Sequence, residues 1–101
     1  MLDWARRSRR FVEGVSENAF LDDERVQSAV LHALIVVGEA ASRLSEDGRA
    51  AVPAIPWQEI RGMRNRLAHD YMGIDLDEVW RTLSRDVPAL IESLEAALAV
   101  D

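Results

Sequence analysis

Arg64, His69 and Tyr71 form an Arg-x4-His-x-Tyr string, and the polar Asn65 directly follows the arginine. These residue types suit work on a phosphodiester. An arginine fork can hold a phosphate and stabilise charge building on it. A histidine can take a proton from a ribose 2′-hydroxyl and return one to the departing 5′ oxygen. Attack by that hydroxyl needs no metal and leaves a 2′,3′-cyclic phosphate. The same chemistry could not cut DNA, which lacks the hydroxyl. Arg64 and His69 are the candidate catalytic pair. Arg61, Asn65 and Glu39 are candidate supporting or substrate-binding groups, with Glu39 able to pair with Arg64 or Arg61.

The string also admits a purely structural reading, and spacing alone favours it, because an Arg-x4-His pair often arises by chance. Arg64 would then pair with an acid on a neighbouring helix. His69 would sit at the C-terminal end of its own helix, where a cation is favoured. Tyr71 would be a core-edge aromatic with a wet hydroxyl. The other histidine, His32, has no metal-ligating type three or four residues on, and with Glu39 it makes a poor site, so no metal is expected. Trp4, Trp57 and Trp80 read as core or interface anchors. Arg6, Arg7, Arg9 and Arg10 read as a solvated face, with RNA contact as the lesser reading.

Composition narrows the setting. The 101 residues fit one domain, 1–101. Apolar residues make up 49% and charged residues 30%, ordinary for a globular chain. There is no cysteine, which excludes disulfides and thiolate metal sites. No secretory leader is apparent, and the apolar run 29–37 is too short to span a bilayer, so no membrane partner and a cytoplasmic location are expected. Net charge is −6, which argues against a broad nucleic-acid coat. Every basic side chain is nonetheless arginine, and three of them fall within residues 61–66. A local basic site on an acidic body suits a small contact with phosphate.

The elements that must carry the string are helical. Apolar spacing predicts helix one over about Leu2 to Glu17, ended near Asn18, with Phe20 and Leu21 plugging the turn. Helix two follows an N-cap at Asp22 or Asp23 and runs to about Glu46–Gly48. Gly48 to Pro56 is a break, because prolines 53 and 56 cannot lie inside a helix. Helix three spans about Trp57 to Tyr71. Met72-Gly73-Ile74 turns the chain, and Asp75 caps helix four, with Glu78 as the far half of a capping box. Pro88 should kink helix four. The expected fold is all-α: an antiparallel up-down four-helix bundle.

On an ideal helix, Ile60, Met63 and Leu67 make the core stripe of helix three. Arg64, Arg61, Asn65 and His69 share a neighbouring flank, Tyr71 falls at the seam, and Arg66 faces Asp70 as a surface pair. Arg64 and His69 lie about 140° apart, so one copy would pinch a phosphate poorly. A twofold dimer that paired this flank with its own copy would assemble two arginines and two histidines.

The wider string is more specific. Phe20, Val37-Gly38-Glu39-Ala40, Ile55-Pro56-Trp57, Gly62-Met63-Arg64-Asn65, His69-Asp70-Tyr71 and Val79-Trp80, in that order, resemble the HepT-like family of HEPN proteins. The resemblance covers about residues 2–98. It implies a HEPN-type bundle that forms a homodimer with the Arg and His motifs of both copies lining one cleft. It implies the toxin of a type VII toxin–antitoxin pair, a metal-independent endoribonuclease acting on RNA without a cofactor. Its partner would be a minimal nucleotidyltransferase antitoxin, MntA-like, which spends ATP to place AMP on the tyrosine matching Tyr71. That modification would set negative phosphate beside His69 and pair with Arg64. The alternative is a non-catalytic dimeric helical partner of a nucleotidyltransferase that binds nucleotide or RNA. A plain structural bundle without a ligand is the third reading.

Overall fold

A computed structural model describes residues 1–69 and 73–99. Among the described residues the regular structure is all helical, with no strand. The order is α1 (Leu2–Phe11), α2 (Glu17–Leu21), α3 (Glu24–Arg43), α4 (Glu46–Ala50), α5 (Trp57–His69), α6 (Leu76–Arg81), a π-helical stretch (Thr82–Asp86) and α7 (Val87–Ala99).

The first helix is shorter than its apolar spacing suggests. It ends at Phe11, and Gly14 takes φ +75°, a left-handed conformation that glycine adopts without a Cβ penalty. Ser16 then caps α2 by accepting from the backbone N–H of Ala19, so Asn18 lies inside a helix and does not end one. Phe20 is fully buried and packs against Trp80 with ring centroids 5.2 Å apart. Asp23 caps α3, its Oδ1 accepting from Arg25 and Val26. Helix α3 stops at Arg43, earlier than expected, because Ser45 caps the separate short helix α4.

Asp75 caps α6, accepting from the N–H groups of Asp77 and Glu78. Glu78 does not complete the box; its carboxylate takes Arg66 at 3.1 Å. Near Pro88, where a kink is expected, the π-helical stretch directly precedes α7. A proline removes an N–H and crowds the preceding turn, and a wider turn is one way to accommodate both.

The core gathers Val30, Leu34 and Val37 of α3, Leu67 of α5, and Leu83, Val87 and Leu90 of the C-terminal arm. Helix α3 is its spine and packs against both α1 and α5. Arg6 and Arg10 are exposed, as expected of a solvated face, and several of the α1 arginines also make contacts. Arg9 donates to Leu83 O at 3.0 Å, Arg6 pairs with Glu95 at 3.1 Å, and Arg7 pairs with Asp3 while lying 4.5 Å over the Trp4 ring. No described helix is long and apolar enough to cross a membrane.

Candidate functional site

Helix α5 carries the candidate residues, and its start is pinned from behind. Ile55 is 2% exposed and anchors the preceding loop in the core. The Trp57 indole N–H donates to Arg49 O at 2.9 Å and Val52 O at 3.1 Å, tying α5 to the segment after α4. Leu67 is buried, while Ile60 and Met63 are half-buried against the core, so the predicted apolar stripe faces inward.

Where α5 crosses α3, the two backbones come unusually close. A Cβ built on Gly38 would overlap the Cβ of Arg64 and lie 2.6 Å from its Cγ. Glycine inside a helix costs about 1 kcal/mol relative to alanine. Here it leaves room for the arginine stem to lie on the bare α3 backbone.

One residue along, Glu39 receives the guanidinium. Arg64 Nε donates to Glu39 Oε1 at 2.6 Å, and Nη2 donates to the same oxygen. Nη1 donates to Asn65 Oδ1 at 2.9 Å. The Arg64 and Glu39 side chains are 29% and 39% exposed, so the pair is partly buried and partly open to solvent.

The structure therefore brings three of the predicted residues together: Arg64, Asn65 and Glu39. Arg61, one turn before Arg64, is half-buried and makes no hydrogen bond or ion pair among the described residues. His69 is exposed at the last residue of α5, and no hydrogen bond among the described residues joins it to Arg64. Tyr71, the predicted modification site, lies outside the described residues, as do Asp70 and Met72. Arg66 pairs with Glu78 of α6; its expected partner, Asp70, lies outside the described residues. His32 is exposed and meets Trp4 edge-on at 5.3 Å, a packing contact. Helical periodicity does not reveal the close approach at Gly38; a glycine amid the apolar run of α3 is its one signal in the sequence.

Chemically, a half-exposed arginine with a fixed guanidinium can bind an oxyanion, and an exposed histidine can exchange protons with solvent or substrate. The motif supplies one of each per chain, Arg64 and His69.

The chain matches the Ribonuclease HepT-like family model over residues 1–97. A Thermococcus cleftensis protein named as a ribonuclease HepT is 38% identical over 80 residues, covering 79% of this chain and 73% of that protein. A Methanocaldococcus jannaschii protein carrying an RNase name is 35% identical over 85 residues, covering 84% and 78%. A third, from Caldanaerobacter subterraneus subsp. tengcongensis and also named as an RNase, is 32% identical over 87 residues, covering 86% and 78%. No solved structure matches. With the family model spanning the core, the Arg64 seat and nearly all of α7, this chain belongs to the ribonuclease HepT-like family.

Proposed function

We propose that this protein is an endoribonuclease that cuts RNA by 2′-hydroxyl attack, with Arg64 holding the phosphate and His69 moving the protons. The carrying observation is the setting of Arg64, a partly exposed side chain whose guanidinium is held by Glu39 along its Nε and Nη2 edge and by Asn65 at Nη1. Membership of a ribonuclease family and relatives named as RNases support the same reading. In our reading the fold is a single HEPN-type antiparallel four-helix bundle, with α1, α3, α5 and the α6–α7 arm as its four helices. The active unit is a homodimer whose α5 flanks line one cleft. The reaction uses the ribose hydroxyl as nucleophile and requires no metal or cofactor.

The protein would act in the cytoplasm as the toxin of a type VII pair. Its antitoxin would be a nucleotidyltransferase that consumes ATP and places AMP on Tyr71. A phosphate there, two residues from His69, would compete with RNA for Arg64. Two experiments test this. RNA should be cleaved in EDTA, and His69→Ala or Arg64→Ala in a folded protein should abolish cleavage. Intact mass should show AMP added to the wild type, and not to Tyr71→Phe, on incubation with the partner and ATP.

The runner-up is a non-catalytic partner of the nucleotidyltransferase that binds nucleotide or RNA. The commitment of Arg64 to Glu39 favours it, since a paired arginine can be wholly structural. Tight partner binding by unmodified protein that leaves RNA intact would select this reading.

A further inference from the structure

We infer that Gly38 and Glu39 form a built seat for Arg64, and that Glu39 is a positioning residue that presents one edge of the guanidinium to RNA and stays bound during the reaction. This rests on Arg64 being the phosphate-binding group proposed above.

A guanidinium has five N–H donors in a fixed fork. Nε and Nη2 each give one to Glu39 Oε1, and Nη1 gives one to Asn65 Oδ1. Two donors remain, one on each terminal nitrogen. That is the number a phosphate needs for a two-point contact. The carboxylate therefore need not leave for substrate to bind. It occupies the inner side of the fork and fixes which edge faces outward.

Gly38 supplies the second half of the seat. The arginine stem lies where any larger residue would put its Cβ, so the side chain has α3 backbone beneath it and Glu39 beside it. A long, flexible side chain is thereby held at both stem and head. Fixing it beforehand removes an ordering cost at the transition state, where a misplacement of about 1 Å can cost on the order of 100-fold in rate.

The seat has a kinetic signature that a merely structural ion pair would lack. Glu39 also places a negative charge next to the incoming phosphate. Glu39→Gln keeps the shape and an accepting oxygen but removes that charge. We expect its KM for an RNA oligonucleotide to fall or stay level while kcat drops by about 10-fold. Glu39→Ala, which frees the head of the side chain, should lose about 100-fold in kcat. Gly38→Ala should lose kcat through a different contact, displacing the stem. A purely structural Glu39 would instead lower the amount of folded protein and leave the kcat and KM of the folded fraction unchanged.

Steady-state cleavage should be measured for all three variants beside wild type and Arg64→Ala, with circular dichroism to count folded protein. Loss of kcat in the order Ala worse than Gln at position 39, without a rise in KM for Gln, supports the seat. Wild-type kcat and KM in both Glu39 variants, with Arg64→Ala inactive, overturns it and leaves the ribonuclease reading standing. Retained activity in Arg64→Ala overturns the ribonuclease reading itself and the seat with it.

Discussion

Helix α5 meets its two neighbours in opposite ways. Against α3 it lies so close that only a glycine fits beneath the Arg64 stem, and an ion pair closes the seam. Toward α6 and α7 it makes no comparable packing, and an apolar cavity of about 140 Å³ remains among Leu34, Val37, Ile60, Met63, Val87 and Leu90. The only side-chain ion pair across that second seam among the described residues is Arg66–Glu78, well exposed on both sides. The candidate catalytic arginine thus stands on the tight seam. Close-packed contacts transmit even a one-methylene change, whereas a cavity can absorb one. Substitutions on the α3 side should therefore reach the chemistry, and substitutions on the α7 side should register mainly as stability.

The largest expected effect is on the tight side. Arg64→Ala should cut kcat by about 100-fold to 1,000-fold, or roughly 3–4 kcal/mol of transition-state stabilisation, measured with an RNA oligonucleotide in EDTA. Its melting temperature should change little, because the side chain is partly solvated. Gly38→Ala comes next. The added methyl has to push α5 off α3 and should destabilise the fold by about 1–3 kcal/mol in urea denaturation. A neutral or stabilising result would mean the seam is looser than described.

Changes on the open side should be smaller and of the other sign or near zero. Val87→Ile adds one methylene toward the cavity and should stabilise by about 0.8 kcal/mol. In a domain this size that is roughly 3–6 °C in melting temperature, with cleavage unchanged. Arg66→Ala removes an exposed pair and should shift stability by no more than about 0.5 kcal/mol. If Val87→Ile altered kcat as strongly as Gly38→Ala, the contrast between the seams would fail.

Much of this arrangement is legible in the sequence, and what is not has physical reasons. The caps at Asp23 and Asp75 follow from residue type, because an acid before an apolar run offers an acceptor to free backbone N–H groups. The core stripe of α5 follows from helical periodicity and places Leu67 inward as expected. Apolar spacing continues past Phe11 and suggests a longer α1, whereas Gly14 and the Ser16 cap set the local backbone. Helix α4 is hidden in the same way, since Ser45 begins a new helix in a stretch that reads as the tail of α3. Helical spacing points Arg66 along its own helix and does not show Glu78, a tertiary neighbour that reaches it from α6. The pairing of Glu39 with Arg64, one of the two arginine partners its sequence position allows, is present in the structure. The seat beneath Arg64 lies beyond pattern reading, because nothing in one sequence says which residue of α3 an α5 side chain will cross.

The central claim is that one chain holds half of an active site. It is tested most directly by mixing two inactive proteins. Arg64→Ala and His69→Ala chains, carrying different affinity tags, should each fail to cleave RNA in EDTA. Heterodimers isolated through both tags contain one cleft side with an intact arginine facing an intact histidine. The account predicts that these heterodimers regain about half of the wild-type kcat. Heterodimers that stay inactive while wild type cleaves would contradict it and place Arg64 and His69 in the same chain's site.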